Sequence, residues 1–211
     1  VFNALTFGDR TVTWRFLMSG RNKLALRKEL MMNREMLLPR KLEEQGRADE
    51  IMEILEGLKA GIRPDTQLQF PVIKSGRALE QAIRKARLQR RVRPGFEDIA
   101  DKLTSEKKGL TRMSGKTETV AKERISRLLL FSNDGAQRLY RHIEQLCKQH
   151  YPRILACQLD IDGRSLGTLI AGDKGARGSG MKVIIIEHKD AVADILLAVL
   201  EDTRSNESGP T

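Results

Sequence analysis

The sequence predicts an α/β protein, a three-layer α/β/α sandwich in its C-terminal half preceded by a mainly helical, basic N-terminal extension. Three observations lead there. Short apolar runs (Ile125 to Phe131, Arg153 to Leu159, Met181 to Ile186) have strand length. They alternate with helix-period segments, and that alternation implies a sheet with helices on both faces. Before residue 71 the pattern is mainly helical.

The elements follow in order. Arg21 to Leu38 is rich in Leu, Met, Lys, Arg and Glu, all good helix formers, and Pro39 should end or kink it. Trp14, Phe16, Leu17 and Met18 form an apolar cluster suited to docking against neighbouring helices or a partner protein. Ile51, Ile54, Leu55 and Leu58 recur at helical spacing, and Gly57, Gly61 and Pro64 close that segment. Gln67 to Ile73 reads as an extended connector. Ser75 is a candidate cap for a helix running to about Val92, with Leu79, Ala82, Ile83 and Ala86 on its apolar face. Arg93, Pro94 and Gly95 mark its end. A short helix is expected over Phe96 to Leu103, then a polar linker over Thr104 to Lys116.

Beyond that, Gln137 to His150 is helical, Asp162 to Ala171 is a short helix, and Asp173 to Gly180 is a glycine-rich loop. Val192, Ile195, Leu196, Val199 and Leu200 mark a final amphipathic helix, and Asp202 to Thr211 reads as a polar, mobile tail. The expected division is therefore 1–70, 71–110, 111–202 and 203–211.

Charge is the strongest functional signal. The net charge is +10, and residues 71–127 hold 16 Lys/Arg against 7 Asp/Glu. Residues 1–70 hold 12 against 10, and residues 128–211 hold 10 against 11, so the excess lies almost wholly in one stretch. A field of that kind favours a polyanionic partner. A membrane is disfavoured because no apolar run reaches the roughly 18–20 residues that span a bilayer. Within the stretch, Arg77, Arg84, Lys85, Arg87, Arg90, Arg91 and Arg93 are accompanied by one acid, Glu80. A merely soluble helix mixes its signs, and Arg forks suit phosphate. In the glycine-rich loop, Lys174 and Arg177 add charge where backbone N–H groups can approach an anion.

No cofactor or metal site is expected. His142, His150 and His188 lack metal spacing with the two cysteines, Cys147 and Cys157, which both fall on core positions. Asp160 and Asp162 follow a strand, where a carboxylate most often caps the next helix. No acid/base pair or nucleophilic triad assembles. Two cysteines fit a reducing, intracellular compartment. The first residue, Val1, suggests a removed presequence or a trimmed chain, and the former favours the mitochondrion.

Several short motifs stand in a telling order. Gly115-Lys-Thr-Glu118 opens the last domain, a strand over Leu128 to Phe131 follows, and the next helix ends in Leu146-Cys147 with Pro152 before the next strand. Ser165-Leu166-Gly167 then begins a short helix, and a loop, a strand and a helix complete the series. In this order the last 90 or so residues resemble the kink-turn-binding ribosomal proteins of archaeal and eukaryotic large subunits. Their relatives include the core protein of box C/D particles and a subunit of RNase P/MRP. The resemblance implies an α/β/α sandwich that grips RNA at the start of its first helix and at the loop before its last strand. Carried over by position, those residues are Gly115, Lys116, Thr117 (Asn in the family), Glu118 and Lys122, then Lys174, Ala176 and Arg177.

The sequence thus leads to the expectation of a non-catalytic RNA-binding subunit of a large ribonucleoprotein, a ribosomal protein first of all, binding structured rRNA and touching neighbouring proteins through its N-terminal helices. An RNase P/MRP-type subunit is one alternative. A small α/β enzyme binding a phosphorylated ligand at the glycine-rich loop is the other. Aromatic content of 4% argues against a platform that stacks single-stranded bases.

Overall fold

The computed structural model describes residues 37–61, 68–114, 124–172 and 180–207, and from Leu37 onward they belong to one compact unit. The elements are α1 (Arg40–Glu44), α2 (Ala48–Gly57), β1 (Lys59–Ala60), β2 (Phe70–Ile73), α3 (Arg77–Leu88), β3 (Val92–Pro94), α4 (Phe96–Ser114), β4 (Arg127–Phe131), α5 (Gln137–His150), β5 (Ile154–Leu159), α6 (Gly163–Ala171), β6 (Val183–Ile186) and α7 (Lys189–Glu207). One mixed six-stranded sheet runs in the order β1-β2-β5-β4-β6-β3. Strands β2, β5 and β4 are parallel to one another; β1, at one edge, is antiparallel to β2, and β6 is antiparallel to both β4 and β3.

The three central strands read Ile154-Leu-Ala-Cys-Gln-Leu159, Leu128-Leu-Leu-Phe131 and Val183-Ile-Ile-Ile186, and every one of these residues is buried. Unbroken apolar runs of this kind arise when both faces of a sheet are covered. On one face Leu129, Phe131, Ile154 and Ile185 pack against Ile99 and Leu103 of α4 and Tyr140 and Ile143 of α5. Phe131 sits edge-on to both Phe70 (centroids 5.5 Å apart) and Tyr140 (5.8 Å). Leu128, Leu130, Ile184 and Ile186 alternate to the other face, where α7 covers the sheet and packs along α3, with α1, α2 and α6 around them.

The α/β sandwich is therefore present, but its limits differ from those read in the sequence. The basic helix expected to stand outside the domain lies inside it. It buries Leu79, Ile83 and Ala86 against α7 and α6. The connector Gln67 to Ile73 becomes strand β2 where it pairs with β5; that ladder begins at Val72, so the missing N–H of Pro71 leaves no gap in it. The basic helix ends at Leu88 rather than Val92. Arg90 takes a left-handed conformation (φ 56°), its N–H donates to the Arg87 carbonyl (2.8 Å), and the Arg91 N–H donates to the Ala86 carbonyl (2.9 Å). This Schellman closure stops the helix, and Val92 to Pro94 then pair with Ile186 to Ile184 as an edge strand.

Two further corrections have electrostatic causes. The linker expected over 104–116 is helical as far as Ser114. Its charged residues fasten it: Glu106 accepts from Arg127 (2.9 Å) and lies 3.5 Å from Arg153, while Lys107 Nζ donates to the Gln149 carbonyl (2.9 Å). The tail expected from 202 is likewise helical to Glu207. Arg204 pairs there with Glu50, and Thr203 Oγ1 donates to the Val199 carbonyl. Leu37 and Leu38 are not helical; Leu37 bridges Arg124 and accepts from the Ile125 N–H. The remainder of the helix read over Arg21 to Leu38, and the cluster around Trp14, lie outside the described residues.

Candidate nucleic-acid interface

The basic face of α3 is held in place by acids of α7. Asp202 accepts from the backbone N–H groups of Ala78 (3.0 Å) and Leu79 (2.8 Å), so the helix N-terminus is capped from another helix and not by Ser75. A side chain on Gly76 would occupy the place of that carboxylate, which accounts for glycine at the first cap position. Ser75 Oγ donates instead to Glu80. Farther along, Asp194 accepts from Lys41 (2.5 Å) and Lys85 (2.9 Å). Partial burial alone would raise the Asp194 carboxyl, but these two ammonium groups outweigh it and hold it below the usual carboxylate range.

The seven basic residues singled out in this segment divide. Lys85 spends its charge on Asp194, and Arg93 donates to Glu187 at 2.5 Å, a bond that raises the guanidinium pKa further. Arg84 lies 3.5 Å from Glu80 one turn earlier, a loose and exposed pair. Arg91 is half-buried. Arg77, Arg87 and Arg90 are exposed and have no carboxylate partner among the described residues. Arg87 and Arg90 also stand at the helix C-terminus, where the backbone dipole favours cations.

A groove of about 380 Å³ opens beside this face, lined by Arg84, Arg87 and Leu88 of α3 and by Thr168, Leu169 and Gly172 at the end of α6. Leu88 is 84% exposed. The groove was missed in the sequence, although a signal was present. Leu88 follows Arg84 by four residues and Arg77 by eleven, so at 100° per residue it falls on the basic face, opposite Leu79. Gly172 leads into the glycine-rich loop; Lys174, Ala176 and Arg177 lie outside the described residues, as do Gly115, Lys116, Thr117, Glu118 and Lys122.

The carboxyl ends of β4 and β5 form the other place where an α/β sheet offers a crevice. The helix after β4 crosses one face and the helix after β5 crosses the other, which makes a topological switch point. Its polar groups are consumed internally. Asp134 accepts from the Gly163 N–H (2.9 Å) and from Lys182 Nζ (2.5 Å). Burial would raise its carboxyl, and these bonds hold it low instead. Asp162 caps α6 by accepting from the Ser165 N–H (2.7 Å), and Asn133 Nδ2 donates to Asp160 (3.1 Å). Gly180, at φ 74°, packs so close that a Cβ would come within 2.6 Å of the Gly163 backbone. Among the described residues no three His, Cys, Asp or Glu side chains converge as metal ligands. Burial pushes the Cys147 thiol up to about 12 and raises Cys157 as well, so neither is a ready nucleophile.

No family profile matches the sequence, and no curated protein does. A solved structure similar to this chain is that of a protein with unknown function from Bacillus halodurans C. It aligns over 59% of this chain and 99% of its own length, with a TM-score of 0.41 and 13% identity.

Proposed function

We propose that this chain is a non-catalytic RNA-binding subunit of a ribonucleoprotein. The observation that carries the reading is the position of the exposed arginines. Arg84 and Arg87 on α3 border the same groove as Gly172, from which the Lys174 and Arg177 loop departs. Arg84 and Arg87 near the end of α3 thus stand beside the end of α6, on one flank of the domain. Rigid presentation matters because phosphate contacts fix register through geometry, and Asp194 and Asp202 hold the helix that carries the arginines. Recognition of folded RNA by shape and phosphate suits this surface better than base stacking on aromatic rings.

The resemblance of residues 115–202 to kink-turn binders narrows the proposal to a ribosomal protein acting on rRNA. An RNase P/MRP subunit is the alternative within the same resemblance. In either particle the segment around Trp14 would face neighbouring proteins. No described helix is long and apolar enough to cross a membrane. The enzyme reading keeps no observation in its favour at Asp160 and Asp162, since both carboxylates serve the loops that hold them.

The test is the salt dependence of binding to a structured rRNA fragment. Affinity should fall steeply with salt. The Arg77→Gln/Arg84→Gln/Arg87→Gln variant should lose roughly two to three units of the log–log slope, near 0.9 per phosphate contact. Binding that ignores salt, or a slope unchanged in the variant, would sink the reading. Sequencing of RNA crosslinked to the native protein then separates the two particles.

A further inference from the structure

Leu88 poses a specific problem. A leucine that is 84% exposed gains nothing from the hydrophobic effect, whereas burial would contribute about 1.5–3 kcal/mol. It sits among arginines, and the groove below it is mostly apolar, with Leu169 at its wall. The occupant that suits the site carries an apolar, flat surface joined to a negative charge.

From this juxtaposition of Leu88 with Arg84 and Arg87 over the end of α6, we propose that the groove receives one unstacked nucleotide of the bound RNA. The base lies against Leu88 and Leu169, and its flanking phosphates meet the two guanidinium groups. The inference rests on the RNA-binding reading above and deepens it, because it adds contact with a base to contact with phosphate. Three features favour this occupant. The volume, about 380 Å³, is at the small end of ligand pockets and suits one nucleotide unit better than a protein helix. The charge at the rim is positive: Arg87 has no carboxylate partner among the described residues and Arg84 has only a loose one. A planar guanidinium can also stack on a base or fork onto a phosphate, so the two arginines serve either part.

The experiment compares three hairpin RNAs with the full-length protein: a fully paired stem, the same stem with one bulged uridine, and the same stem with an abasic ribose at the bulge. The wild-type protein should bind the uridine bulge about five- to tenfold more tightly than the abasic bulge, the lower end of what one stacked base contributes. Leu88→Ser should abolish that preference while leaving affinity for the paired stem and the salt slope unchanged. Its melting temperature should match the wild type, since the side chain is already exposed. Leu88→Phe should restore the preference. Equal wild-type binding of the two bulges, or a preference that survives in Leu88→Ser, overturns the nucleotide site while salt-sensitive binding of the stem leaves the general RNA reading standing. Absence of salt-sensitive binding to all three RNAs overturns both.

Discussion

Two regions of this domain differ in how their polar groups are used. At the carboxyl ends of β4 and β5, Asp134, Asp162, Asn133 and Lys182 meet one another or nearby backbone. Every strong bond made there is a bond of the fold. In the groove between α3 and α6 the situation is reversed. Arg87 has no carboxylate partner among the described residues, Arg84 is loosely paired, and Leu88 is bare. The first region has the topology of a ligand site and the bonding of a joint. The second lies on the flank of the sandwich, away from the crevice that the fold offers, and holds the unused capacity. Topology alone points to the first region; the account of which donors and acceptors are already satisfied points to the groove.

That contrast can be broken by mutation. The largest effect belongs to the joint. Gly180→Val would place a branched side chain against the Gly163 backbone at a positive φ, and stability should fall by about 3 kcal/mol or more, read by denaturant unfolding. A loss below 1 kcal/mol would mean that the joint yields. Next comes the support of the basic helix. Asp202→Ala removes the acceptor of two α3 N–H groups and should cost about 1–2 kcal/mol. RNA affinity should weaken with it, as α3 loses its fixed pose. If affinity holds while stability drops, rigid presentation does not matter.

Smaller effects sharpen the comparison. Arg90→Gly relieves a left-handed arginine, which should add about 0.5–1 kcal/mol of stability. The same change should lower the salt slope by about one phosphate contact. A residue of the joint could not be improved and impaired at once in this way. The smallest effect is at Asp194. Its carboxyl is held low in the folded state, so the group contributes stability above its unfolded pKa, near 4, and loses it as pH falls through the depressed value. Asp194→Asn should therefore melt about 2 °C lower at neutral pH, and the difference should vanish in acid. A gap that persists at low pH would show that packing, not charge, links Asp194 to Lys41 and Lys85.

Much of the fold was legible because burial on both faces writes strands as solid apolar runs. Helix α5 matches its reading at both ends, Gln137 and His150, and Asp162 is the cap that its position before α6 suggested. What stayed illegible was long-range. Nothing local in Gln67 to Ile73 or in Val92 to Pro94 announces that these short segments pair with β5 and β6, so the basic helix between them looked detached. The second half of α4 looked like a linker because Thr104, Ser105 and Gly109 are poor helix formers, and its fastening through Glu106 to Arg127 and Arg153 is tertiary. In the site, charge was legible and its disposition was not. No periodicity shows that Lys85 and Arg93 are neutralised by Asp194 and Glu187 while Arg87 is left available.

Asp202 gives the order of synthesis a consequence. The carboxylate that closes the start of α3 lies 124 residues downstream of the amide it accepts from at Ala78. On a ribosome, the arginines emerge long before the group that sets their helix in place. A nascent chain stopped between residues 93 and 202 carries the full positive charge of this helix and its end without the carboxylate that caps it. The shaped surface exists only once translation has passed the last helix, so the basic face is set in order late, when the body that carries it has been made.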